Sequence, residues 1–195
     1  MSDLQSNEVV TGECRLSYVT LAEPTLMKGA AKATYSVKIL IAKTDTATLK
    51  ALGAARDAAR ANGVAEGKKP FSTYNAAKLA SMNLTLKDGD ESDRDEEAGC
   101  WLLNAKTPED KPPGVINEKK ERTKDPIEIY SGMYGRVHLQ LFPYDTNGNA
   151  GIGVSLQNVM KTKDGDPLGG ARKRPEDVFG SPADASPFET SGSPI

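Results

Sequence analysis

The sequence predicts a mainly β fold: short strands around one small core, forming a barrel or sandwich, with one α-helix, long loops and a polar C-terminal tail. Three observations carry this expectation. Two alternating apolar and polar runs meet at an Asn-Gly reversal within residues 133–160, a third alternating run occupies residues 33–42, and residues 45–63 alone combine helical spacing with caps.

The hairpin is the organising element. MYGRVHLQLF and AGIGVSLQNVM flank PYDTNGN, where Asn-Gly tolerates the positive φ of a tight reversal. Strand side chains alternate between faces, so Met133, Gly135, Val137, Leu139 and Leu141 fall on one side and Tyr134, Arg136, His138, Gln140 and Phe142 on the other. The first set reads as core. The second puts cations, an amide and aromatic rings on an outward face, which marks a contact surface. Gly151, Gly153, Ser155 and Gln157 share that face on the second strand and predict a trough beside it.

Upstream, residues 12–21 (GECRLSYVTL) and 33–42 (ATYSVKILIA) read as a strand pair, with Tyr35, Val37, Ile39 and Ile41 on one face of the second. Strand character returns at 100–106 (CWLLNAK) and at 127–130, giving five strand regions with the hairpin. The helix opens at Thr44 or Asp45 and closes at Asn62-Gly63; Leu49, Leu52, Ala55 and Ala59 form a narrow apolar arc suited to close packing over one end of the core. A short helix is expected around residues 74–82. The acidic run at 88–97 reads as a solvated loop, because a calcium loop counted from Asp88 would need Gly at position 93 and a carboxylate at 99, where Asp93 and Gly99 stand.

Length and composition fit one domain. With 195 residues, 37% apolar and 27% charged, a single core is expected over residues 1–174, followed by a flexible acidic, Pro- and Ser-rich tail at 175–195. No apolar run of about 18 residues appears and MSDLQSNEVV lacks the layout of a signal peptide, so a cytoplasmic protein without membrane contact is expected. Cys14 and Cys100 are too isolated for a disulfide framework, and with one histidine there is no zinc site; free thiols, no metal and no cofactor are expected. The net charge of −2 conceals an uneven distribution: residues 88–97 carry −6 and residues 175–195 carry −4, which leaves +8 on the remainder. An acidic total thus hides a basic body.

Several blocks resemble a known family. RLSYVTLAEP at 15–24, ATYSVKILIAK at 33–43, LKDGDE at 86–91, GCWLLNAK at 99–106 and the long segment from IYSGMYGRVHLQLFPY to QNVMKTKDGDPLGG at 129–170, with PEDVFG after it, look like phage-encoded single-stranded-DNA-binding proteins with an OB fold. The resemblance covers most of residues 12–180. It implies a five-stranded OB-type barrel that coats single strands in phage replication or recombination, in the host cytoplasm, with the tail as a site for replication or recombination proteins.

Binding without sequence preference needs cations along the phosphates and flat side chains for the bases. Tyr134 and Phe142 are the stacking candidates on the hairpin; Arg136 pairs with phosphate or stacks, and His138 and Gln140 hydrogen-bond between them. Arg15, Lys38, Lys43 and Lys106 extend the cationic set, with Trp101, Tyr18 and Tyr35 as further rings. Tyr18 and Tyr35 also suit a core position with the hydroxyl at its edge. The alternative function is a β-barrel protein–protein module without nucleic-acid binding, since aromatic and arginine patches also serve protein interfaces. An enzyme is not indicated: there is no paired His/Cys/Asp motif and no glycine signature in a strand-turn-helix context.

Overall fold

The computed structural model describes residues 4–67, 69–146 and 149–168. The chain is mainly β with one main helix. Eight strands join one sheet: β1 (Glu8–Val10), β2 (Cys14–Thr25), β3 (Thr34–Ala42), β4 (Lys87–Asp88), β5 (Cys100–Pro108), β6 (Gly114–Ile116), β7 (Tyr134–Thr146) and β8 (Asn149–Lys163). Five of these are long, and β1, β4 and β6 are two- or three-residue additions. β2 pairs β3, β3 pairs β5, β5 pairs β8, β8 pairs β7 and β7 pairs β2, so the pairings of the long strands return on themselves.

The alternation read in the sequence sets the two faces. Val137, Leu139 and Leu141 of β7 are fully buried, as is Met133 just before it, together with Ile39 and Ile41 of β3 and Leu16 of β2. Tyr35 lies on this inner face and is 7% exposed. The expected hairpin is present as β7 and β8, whose register closes at Thr146↔Asn149; the two residues between lie outside the described set. Residues 127–130 are a turn and not a strand: Asp125 collects the amides of Ile127, Glu128 and Ile129, an Asx-type closure that outcompetes strand pairing.

Helix α1 (Thr46–Ala65) follows β3, and helix α2 (Ala76–Ser81) is a short turn further on. Asp45 caps α1 by accepting from Thr48 N–H, and Leu52, Ala55 and Ala59 face the core. Small side chains let the helix approach closely along its whole length of roughly 30 Å. At one end Thr48 Oγ1 accepts from Gly12 N–H at 2.7 Å; at the other Gly63 lies against Pro143 of β7, where a Cβ would stand 2.8 Å from the proline ring. Arg60 anchors the chain beyond α2 by donating to the Met82 and Ala80 carbonyls. No helix among the described residues is long and apolar enough to cross a membrane. Both cysteines are free, and burial pushes the Cys14 thiol up to about 11, which makes it a poor nucleophile.

The acidic run is not a free loop. β4 pairs with Leu102 and Trp101 of β5, and two single 3-10 turns, Gly89–Glu91 and Asp95–Glu97, fold the segment back onto the sheet. Gly89 is required where the turns cross, because a side chain there would run into the Glu97 backbone.

Candidate nucleic-acid interface

The sequence candidates distribute over several patches of the outward surface. On β2, β3 and β5 the register aligns Ser17, Lys38 and Asn104 in one row and Ser36 with Lys106 in the next. Residues paired across antiparallel strands share a face, so Lys38, Asn104 and Lys106 emerge together. Asn104 and Lys106 are exposed.

Tyr18 joins them through a bulge. Ser17 pairs with Lys38 and Thr20 with Ser36, so Tyr18 and Val19 stand opposite Val37 alone. The extra residue is absorbed by a φ of 49° at Tyr18, a left-handed conformation that a bulky side chain rarely adopts. As a result Tyr18 turns outward and is 49% exposed, while Val19 packs against the core. Lys38 Nζ lies 4.6 Å from the ring centroid and the Arg94 guanidinium 5.2 Å from it.

The acidic segment reaches the same face. Glu97, 2% exposed, takes a 2.6 Å ion pair from Lys38. Burial alone would raise the Glu97 carboxyl, but hydrogen bonds from Lys38 and Ser92 and the charges of Lys38 and Arg94 hold it below its ordinary value. Lys43 is tied in the same way, 2.5 Å from both Asp88 and Asp90, and its ammonium lies 5.2 Å from the Trp101 ring. These contacts lower both carboxyls and raise the lysine. Lys38 and Lys43, expected as phosphate contacts, are therefore each held by a carboxylate of the chain. Between segment and sheet runs a cleft of about 770 Å³, lined by Lys38, Lys87, Glu91 and Trp101 among others.

Arg15 and Tyr134 meet at another corner. They pair in register, with the guanidinium 5.9 Å from the ring and Lys163 Nζ 4.5 Å from it. Arg15 donates to the Asp166 carbonyl, and Lys163 pairs with Glu13, whose carboxyl its hydrogen bond lowers. Along the hairpin the expected trough is filled: the Phe142 ring lies over Gly153 and the Tyr144 ring over Gly151, so close that a Cβ on either glycine would collide. Phe142 remains 43% exposed. Gln157 is bulged between Asn158 and Leu156 and bonds to Ser155.

Lys106, Ser155 and Gln140 form one continuous row, because Ser155 pairs with both of the others. Arg136 and His138 occupy a separate recess with Arg122 and Asn158. The structure thus brings together Tyr18, Lys38 and Lys106, joins Gln140 to them through β8, and leaves Arg15 with Tyr134, Lys43 with Trp101 and Arg136 with His138 as separate pairs. Arg94, Asn104, Arg122 and Lys163 were not foreseen. Arg94 carried a signal, as the lone cation of an acidic run; the other three are placed by register and loop closure, which leave no trace in composition. No group of three metal-ligating side chains occurs among the described residues.

A family model described as Enterobacter phage Enc34, ssDNA-binding protein, matches residues 7–188. Among solved structures, the single-stranded DNA-binding protein from bacteriophage Enc34, in complex with ssDNA, is similar over 85% of this chain and 91% of that chain, with 24% identity and a TM-score of 0.69. The single-stranded DNA binding protein gp2.5 encoded by bacteriophage T7 is similar over 86% of this chain and 97% of that one, with 17% identity and a TM-score of 0.58. None of the curated proteins matches. The structural likenesses bear on the fold; the family match, spanning nearly the whole chain, shows that the protein belongs to the family of the Enterobacter phage Enc34 ssDNA-binding protein.

Proposed function

We propose that this protein binds single-stranded DNA without sequence preference and coats it in phage replication or recombination, within the host cytoplasm and without a catalytic step. The observation that carries this reading, in a member of this family, is the repeated pairing of an outward ring with a cation: Tyr18 with Lys38 and Arg94, Trp101 with Lys43, Tyr134 with Arg15 and Lys163. Stacking surfaces beside positive charge are the two elements that such binding uses. The self-closing circuit of β2, β3, β5, β7 and β8 supports an OB-type barrel, and Tyr18, Asn104 and Lys106 lie on the outer face of its first three strands.

On this reading a base stacks on Tyr18, Arg94 and Lys106 take flanking phosphates, and Asn104 hydrogen-bonds to base or sugar. Lys38, held by Glu97, steadies the ring. The tail at 175–195, which lies outside the described residues, serves recruitment of replication or recombination proteins. A salt-dependent titration with single-strand, duplex and RNA competitors tests the function. Single-strand affinity should fall by about 0.7 log units per log unit of salt for each phosphate contacted. Equal affinity for duplex would refute it, as would no binding at low salt.

A further inference from the structure

A recess of about 330 Å³ opens between the end of β1, β6 and the outer faces of β7 and β8, away from Tyr18. Its polar lining is Arg122, Arg136, His138 and Asn158; its apolar walls include Ile116 and Met160. The volume is at the lower end of small-ligand sites, and a mostly apolar wall with a few convergent polar groups is their usual composition.

The charges here are unusual for this chain. Among the described arginines, Arg56, Arg60 and Arg94 each have a carboxylate partner. Arg122 and Arg136 have none within 4.0 Å among the described residues, and both line this recess. Arg122 is placed by the bridge between Ile116 and its own backbone. Arg136 donates from Nε to the Thr11 carbonyl at 3.0 Å, which orients the guanidinium and leaves its terminal N–H groups for a ligand.

His138 supplies a further donor. Its Nδ1 lies 2.9 Å from Asn158 Nδ2; an amide donating there makes Nδ1 the acceptor and puts the ring proton of the neutral imidazole on Nε2. That Nε2 is buried and makes no hydrogen bond. The nearest carboxylate, Glu8, stands 3.8 Å away and already accepts from Gln5 N–H. One carboxylate at the rim therefore faces two arginines and an unsatisfied donor, which leaves the recess with an anion preference.

We propose that this recess receives one nucleotide of a bound single strand, its phosphate on Arg122 and Arg136 and its base against Ile116 and Met160, with His138 Nε2 donating to it. The proposal rests on the single-strand reading above and adds a second station to it. The row Lys106–Ser155–Gln140 leads to the recess, since Gln140 is two residues from His138 on the same face of β7. From β3 to β7 the path crosses three strand spacings, about 15 Å at 4.8 Å each, so a short oligonucleotide seated on Tyr18 stops before reaching it.

The test compares wild type with R122Q/R136Q on oligothymidines of about 4 and about 16 nucleotides, the range of OB-fold site sizes. Both side chains are exposed, so the fold should be kept, and unchanged thermal melting verifies it. The expected result is unchanged affinity for the short oligomer, weaker binding of the long one and a salt slope lower by about 1.4, two contacts at about 0.7 each. R122K/R136K should recover the slope. Equal binding of the long oligomer by wild type and variant, or equal losses at both lengths, would overturn the proposal. So would saturation of the recess by free thymidine monophosphate with long-oligomer affinity untouched, which assigns it to a free nucleotide. A wild type that binds neither oligomer refutes the single-strand reading itself, a separate result.

Discussion

Lys38 Nζ stands 2.6 Å from Glu97 Oε1, and that carboxylate is 2% exposed. The acidic segment is thus fastened to the sheet by a pair whose acid has left water. Removing the lysine leaves a buried acceptor without its partner, at a cost of about 1–3 kcal/mol. Lys38→Met should lower stability by that amount in urea unfolding, and combining it with Glu97→Gln should recover much of the loss. Additive losses in the double-mutant cycle would show that the two side chains are not coupled.

Tyr18 holds a φ of 49° while half exposed, so its conformation costs energy that core packing does not repay. Tyr18→Gly and Tyr18→Ala should both weaken single-strand binding about tenfold or more, the value of one stacked base. Their stabilities should differ: glycine adopts this conformation freely and alanine does not, so the glycine variant should be more stable by about 1 kcal/mol. Tyr18→Phe should retain binding. Full affinity in the alanine variant would remove Tyr18 from the interface.

Lys43 is engaged by Asp88 and Asp90, and all three lie at the surface. Carboxylates at these positions occupy the place a phosphate would take on the lysine. D88N/D90N should tighten binding at low salt severalfold and steepen the salt slope by about 0.7, one added phosphate contact. An unchanged slope would mean that Lys43 does not reach the strand.

How far the sequence could be read follows from which physical signal each feature leaves. The inner faces of β3 and β7 were legible because Ile39, Ile41, Val137, Leu139 and Leu141 alternate strictly, and α1 because Asp45 and a spaced apolar arc mark it. Tyr18 against Tyr35 was not decidable from periodicity: one bulge reverses the parity of β2, sending Tyr18 outward while Tyr35 stays inside. The trough beside the hairpin failed for a related reason, since glycines that look like empty space are seats for the facing Phe142 and Tyr144 rings. The acidic run suggested a solvated loop because composition reports charge but not the distant lysines that neutralise it.

The same neutralisation gives the fold an acid-sensitive seam. Asp88 and Asp90 are held below their ordinary value of 3.8 chiefly by the Lys43 hydrogen bond, and Glu97 ends below 4.5 because its bonds to Lys38 and Ser92 outweigh its burial. Glu13 is lowered in the same direction by Lys163 and Thr162. A carboxyl whose folded value is depressed stabilises the native state above its unfolded value, and that contribution is lost as pH falls through the folded one. Stability from these groups should therefore be flat near neutrality and decline below about pH 4.5. The lysines work in the opposite sense. Lys43 and Lys163 are raised above 10.5, so their contribution is complete below that value and is lost as pH rises through the raised one. Urea unfolding followed across pH should show both edges. D88N/D90N, which removes two of the depressed carboxyls and the partners of Lys43, should flatten each edge, whereas equal pH profiles for variant and wild type would show that the pairs on Lys43 contribute nothing to stability.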